Sequence, residues 1–219
     1  MGSWLVVAAM AMSTVAAEPF SAEKADAGRW LAVLGVPEGA GRTHTRERLV
    51  VLAANGRVVR VVEGAESHVV LSADLDRLLA TAGANLTLVH NHPAGNGLSA
   101  DDLSQLEKAG VAMVVAVGHD GSLYAASRGA RFPSAGFAGF DDAVYEVARR
   151  HAERVMRAER DPAARAAYDE HVQHVLATAL DAAGVLDYAA VLGADRRVSF
   201  GNARMFLARV RDSAARAAR

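Results

Sequence analysis

The residues best suited to chemistry lie in one short stretch, Leu86 to Asp102, with the sequence LTLVHNHPAGNGLSADD. Its first residues read as a buried strand, and in a strand the side chains at i and i+2 point to the same face. His90 and His92 can therefore present two imidazoles to one point, a bidentate clamp for a metal ion. Pro93 to Gly97 turns the chain back, and Ser99 with Asp102 takes the N-cap and third positions of the next helix. Asp102 is thereby brought near the histidines, and a helix N-terminus favours the ionised carboxylate that a metal requires. Two histidines and one carboxylate with a fourth position open is the donor pattern of a catalytic zinc site, where a bound water has its pKa lowered to about 7. Neither half of the pattern suffices alone. In a chain with 8 His a His-x-His pair arises by chance often enough to be weak evidence, and Ser-x-x-Asp by itself is a capping-box variant. The argument rests on their conjunction at a strand end, across a Pro/Gly turn, at a helix start.

The elements that must position these side chains read as an α/β domain between Trp30 and about Ser127. Glu47 to Ala53 and Arg57 to Val62 flank Ala54-Asn55-Gly56, and Asn-Gly between apolar runs predicts an antiparallel hairpin. Ser72-Ala73-Asp74 caps a helix from Leu75 to about Ala82, and Leu86 to Val89 is the strand leading into the histidines. Ser99 opens a helix expected to reach Ala109, with Gly110 at its C′ position. Val111 to Val117 and Ser122 to Ala126 form two more strands joined through Asp120-Gly121. Gly129 to Gly139 has linker composition. Beyond it the pattern becomes helical: about Asp141 to Arg160, then Pro162 to near Gly184, and finally Asn202 to Ala218, with a short hairpin expected over Asp187 to Phe200. The organisation expected is thus an N-terminal apolar segment over 1–28, the α/β domain over 29–130, and a mainly helical C-terminal region over 140–219.

Composition narrows the function classes. The chain has 219 residues, 24 Lys+Arg against 25 Asp+Glu, 52% hydrophobic residues and no cysteine. The length is enough to bury a real core. Without cysteine there is no thiolate nucleophile and no thiolate-bound metal, so any metal must use His and carboxylates. A net charge of -1 argues against a dedicated nucleic-acid binder. A nucleic-acid contact would fall to the last helix, made basic by Arg204, Arg209, Arg211, Arg216 and Arg219, for which a solvated face is the default. Trp4 to Val15 is an apolar run of about a dozen residues, short of the ~20 that span a bilayer. A small-residue site at Val15-Ala16-Ala17 suits a secretory signal, but Met1-Gly2-Ser3 carries no positive charge. The expectation is a cytoplasmic protein, with export as the alternative. His44, His68 and His119 lie in or near turns and read as solvated or structural. His171 and His174 share a helix face at i,i+3, a spacing that can bind a metal, with no carboxylate partner singled out.

His90-Asn91-His92-Pro93-Ala94-Gly95 followed by Ser99-x-x-Asp102 resembles the signature of the JAMM/MPN metalloprotease superfamily, and HNHPxG is similar to its RadC-like branch. Arg46-Glu47-Arg48-Leu49-Val50-Val51-Leu52 resembles the strand that carries the family's glutamate. The resemblance covers about Arg46 to Ser127. It implies a three-layer α/β fold with a mixed sheet flanked by helices and a C-terminal helical appendage. It also implies a Zn2+ ion held by His90, His92 and Asp102, with Glu47 as the base that takes a proton from water and Ser99 as a donor to the developing oxyanion. Glu63 and Glu66 are rivals to Glu47. The implied reaction is hydrolysis of a peptide or isopeptide bond, with a protein or peptide substrate such as a ubiquitin-like tail. The alternative is a non-catalytic RadC-like scaffold or interaction module, with association with DNA as one form of it. The sequence departs from the family in one place: Pro93 to Leu98 is six residues where the motif usually has seven, a one-residue deletion in the turn.

Overall fold

A computed structural model of the chain describes residues 27–35, 46–64, 69–133, 139–140 and 144–219. Most of the N-terminal segment 1–28, together with His44, Glu66, His68 and the middle of the 129–139 linker, lies outside these residues. The fold is α/β, built on one six-stranded mixed sheet in the order β2-β1-β3-β4-β5-β6. The strands are β1 (Arg48–Leu52), β2 (Val58–Glu63), β3 (Leu86–His92), β4 (Val111–Gly118), β5 (Leu123–Arg128) and β6 (Leu186–Val191). The helices described are α1 (Ala27–Leu34), α2 (Ala73–Leu79), α3 (Ala100–Ser104), α4 (Glu146–Ala158), α5 (Pro162–Ala182), α6 (Ala194–Asn202) and α7 (Arg204–Ala217). Among the described residues no helix is long and apolar enough to cross a membrane.

Residues of opposite parity build the two faces of the sheet. Leu49, Val51, Leu88, Val114, Ala116 and Tyr124 pack against α2, α3, α5 and α7 through Leu75, Leu79, Leu103, Leu176, Leu180 and Val210. Val50, Leu52, Val89, Val115, Val117 and Leu123 pack against Leu31 and Leu34 of α1. Strands covered on both faces have no polar side to show, which is why β1 beyond Arg48 (LVVL) and β4 (VAMVVAVG) read as unbroken apolar runs. Each fully buried Leu or Val contributes about 1.5–3 kcal/mol. β2 is the sheet edge, and its outer positions are exposed.

The hairpin expected at Asn55-Gly56 is present: β1 and β2 pair antiparallel, and the Asn55 side chain accepts from the Arg57 N–H across the turn. β3 and β4 are parallel, so the chain must cross over between them, and α3 lies on that crossover. The C-terminal end of β3 and the start of α3 are thereby neighbours, which is the placement the site requires.

Two expected elements differ. The helix expected from Ser99 to Ala109 stops as α3 at Ser104 and continues only as a 3-10 turn over Gln105–Glu107. The Arg128 guanidinium donates to the Leu106, Lys108 and Val111 carbonyls, groups past the end of α3 that its own helical hydrogen bonds do not reach. Gly110 is accordingly a packing glycine rather than a helix stop. Its N–H donates to Leu79 O at 2.8 Å, and a Cβ there would meet the Leu79 and Thr81 carbonyls at 2.6 Å. The second difference is the expected hairpin over Asp187–Phe200. Its first half is β6, which pairs antiparallel with β5, and its second half is α6. Gly193-Ala194-Asp195 suits a turn or a helix start equally well by local chemistry, and β5 offered the open edge that decided the strand's partner. The C-terminal region is mainly helical, and through β6 it also completes the sheet.

Candidate metal centre

His90 and His92 leave β3 on the same face, and their Nε2 atoms lie 2.8 Å apart. Asp102, on the first turn of α3, places Oδ1 3.0 Å from His90 Nε2 and Oδ2 3.5 Å from His92 Nε2. One donor atom from each of the three lies within 4.8 Å of the other two, and the group could hold a metal ion. The separations bracket the roughly 3.3 Å expected between neighbouring donors around a tetrahedral ion with bonds of about 2.0–2.1 Å. With a six-residue turn Asp102 still reaches both histidines.

The surroundings prepare the donors. His92 Nδ1 is 2.8 Å from the Asn96 carbonyl, which can only accept, so Nδ1 carries a proton, and it is Nε2 that holds the lone pair when the ring is neutral. Burial disfavours charge on Asp102, but His90 and His92 outweigh it and hold the carboxyl well below its usual range. Burial likewise opposes charge on His92, yet the Asp102 carboxylate, the Asn96 carbonyl and Glu47 together raise its pKa. The acid is therefore ionised, the form in which a carboxylate ligates.

Ser99 and Asp102 also form the capping box expected of them. Asp102 N–H donates to Ser99 Oγ at 3.1 Å, and Asp102 Oδ2 accepts from Ser99 N–H and Ser99 Oγ, each at 2.7 Å. The capping role leaves room for a ligand role because the carboxylate has two oxygens, Oδ1 turned to His90 and Oδ2 shared between the cap and His92. The Ser99 hydroxyl spends its proton on Asp102.

Glu47 directly precedes β1 and lines the same cavity, of about 410 Å3, as His90, His92, Ser99 and Asp102. The register explains why. Leu49 pairs with His90 across the antiparallel β1/β3 ladder, and the same register carried two residues further sets Glu47 across from His92. Glu63 instead pairs with Arg48, whose parity is opposite to that of Glu47, and forms an ion pair with it at 3.0 Å. The rivalry between Glu47 and Glu63 for a place beside the histidines is thus decided by strand pairing.

Several residues that hold the site were missed or read blandly from sequence. Asn91, between the histidines, points to the other face and is fully buried. Its Oδ1 accepts from Arg48 N–H at 2.7 Å, and its Nδ2 donates to Arg46 O at 3.0 Å and lies 3.1 Å from His119 Nε2. Asn91 therefore holds the backbone on both sides of Glu47. The signal was in view, since a polar residue on the buried face of an apolar strand needs partners. Arg196, from α6, contacts the turn after His92. His171 and His174 are engaged elsewhere, with Ser199 Oγ at 3.2 Å and Tyr188 Oη at 2.9 Å. Burial, with His171 and Arg196 adding, pushes His174 down to about 4, so it stays neutral.

A scan of the chain against protein-family models, a search of curated proteins and a search of solved structures each find no match, so the functional reading rests on the side chains described above.

Proposed function

We propose that the protein is a zinc-dependent hydrolase of peptide or isopeptide bonds, with His90, His92 and Asp102 as ligands and Glu47 as the general base. The observation that carries this reading is the convergence of two imidazoles and one ionised carboxylate on a cavity that a fourth acidic side chain also lines. Zinc bound there supplies a Lewis acid that polarises a carbonyl and makes a water molecule acidic near neutral pH. The protein's own groups divide the remaining work. Glu47 accepts the proton of the attacking water and returns it to the leaving amine, so that water's hydroxyl ends on the carbonyl carbon and its proton on nitrogen. His92 keeps Nε2 available because Nδ1 is tied to Asn96. Ser99 orients Asp102; to donate to an oxyanion its hydroxyl must turn away from that carboxylate.

The cavity suits a peptide. Leu49, Val69, Leu71, Leu88 and Val114 supply apolar wall, while Glu47, Asp101 and Asp102 are acidic, and among the described residues its lining includes no Lys or Arg. A phosphoester would meet repulsion there, whereas a neutral amide segment would not.

Metal content by mass spectrometry on the purified protein, with His92→Ala in parallel, is the first test. The expected result is about one zinc per chain, lost in the variant, followed by Glu47-dependent cleavage in a screen of peptide and isopeptide substrates. Absence of zinc after reconstitution would overturn the reading. Zinc without cleavage of any substrate would leave the RadC-like interaction module as the better account.

A further inference from the structure

We infer that Arg196, on α6 in the C-terminal region, is a positioning residue for the metal centre: its guanidinium holds the six-residue turn Pro93–Leu98 so that His92 and Asp102 meet one ion. The inference rests on the metal reading of His90, His92 and Asp102.

Arg196 is only 9% exposed. A guanidinium taken out of water costs free energy unless its donors are matched, and here each of its three nitrogens finds an acceptor. Nε donates to Asp120 Oδ2 at 2.8 Å, Nη1 to Glu170 O at 3.0 Å, and Nη2 to Ala94 O at 2.7 Å, with Asn96 Oδ1 at 3.3 Å. Two of these four acceptors belong to the turn that follows His92. Asn96 is also the residue whose carbonyl fixes His92 Nδ1, so the contact runs Arg196 to Asn96 to His92 without a gap.

The turn has two further anchors on the same side. Tyr124 Oη donates to Gly95 O at 3.0 Å. Gly95 has φ +70°, and a Cβ on it would fall 2.5 Å from Asp120 Oδ2, so only glycine lets the turn sit against the Asp120 carboxylate that Arg196 pairs with. Asp120 is itself fixed by the Ser122 N–H at 2.9 Å. One planar fork thus ties the turn, the β4–β5 connection and α5 together, a geometry for which the point charge of a lysine has no equivalent. A turn one residue shorter than the family pattern has less chain with which to find its own path, and an external brace from α6 accounts for how it keeps Asp102 within reach.

The test is the zinc affinity of the full chain by chelator competition, run at a temperature where circular dichroism shows each variant folded, with the visible absorption of the Co2+-loaded protein as a readout of coordination. Arg196→Ala is expected to weaken zinc binding about 10- to 100-fold, the range typical of residues that orient metal ligands, and to alter the Co2+ bands. Arg196→Lys keeps a positive charge beside Asp120 and carries the test if the alanine variant does not fold; it should weaken binding in the same direction by less. Arg149→Ala, on α4, should leave both readouts unchanged. A merely structural Arg196 would lower the unfolding temperature and leave affinity and spectrum alone. If wild type binds zinc and the folded Arg196 variants bind it within twofold with an unchanged Co2+ spectrum, the inference falls and the metal reading stands. If wild type binds neither ion, the metal reading falls and takes the inference with it.

Discussion

His92 carries the most consequences of any single side chain, because it is at once a ligand candidate, a neighbour of Asp102 and the residue that Asn96 orients. In the metal-free protein its pKa is raised. The stability it contributes is therefore complete below its ordinary 6.5 and is lost as pH rises through the raised folded value. Asp102 has the opposite sign: its contribution is present above the ordinary 3.8 and is lost as pH falls through the lowered folded value. The pair thus favours the metal-free fold most in mildly acidic solution. Zinc held by His92, as proposed, would reverse the preference on the alkaline side, since it would have to displace the proton from His92 Nε2. Calorimetric zinc titrations at pH 6 and pH 8 are expected to show tighter binding at pH 8, with up to about tenfold per pH unit while His92 is protonated. Equal affinity at the two values would mean that His92 is not a ligand. On the proposed hydrolase reading, Glu47→Gln removes the proton acceptor and none of the three metal ligands. Cleavage should fall by about 10²- to 10⁴-fold with zinc content unchanged, as read from kcat and mass spectrometry on the same sample.

At the scale of elements, β3 serves two faces at once. Its even-numbered residues from Leu86 supply core and then the two histidines, while Asn91 on the other face holds the entry to β1. Truncating Asn91 to alanine leaves Arg48 N–H and Arg46 O without their side-chain partner. A cost of about 1–3 kcal/mol is expected in urea unfolding. Because those two backbone groups flank Glu47, turnover should drop further than metal binding does, and loss of metal in proportion to activity would contradict this assignment. The histidine alternation and the Ser99 cap were readable directly, since both follow from periods of two to four residues. The length of α3 was not: its end is set by Arg128 on β5 and by the packing of Gly110 against α2, contacts between segments far apart in sequence.

For the molecule as a whole, the C-terminal region shares one core with the rest. β6 pairs along all of β5, and α5 and α7 lay Val175, Leu176, Leu180, Phe206, Leu207 and Val210 on the face of the sheet that carries the histidines. A fragment ending at residue 133 would expose that apolar face and an unpaired β5 edge. Expressed alone, it is expected to aggregate or to be protease-sensitive by size-exclusion chromatography and limited proteolysis. A folded, monomeric fragment would show that the sheet is self-sufficient without β6.

The sequence by itself determined what short-range chemistry can determine. His90 and His92 had to share a face, Asn55-Gly56 had to reverse the chain, and Ser99 had to cap a helix whose third residue is Asp102. Each of these depends on neighbours within a few positions. Only the tertiary structure decided that Glu47 rather than Glu63 stands in the histidines' cavity, because the face a strand residue occupies depends on pairing register, and a shift of one residue inverts it. Only the tertiary structure joined Arg196 to Asn96 across a separation of 100 residues and gave β6 to β5. Such pairings are selected by burial and by the matching of buried charge over the whole chain, and no local pattern encodes them.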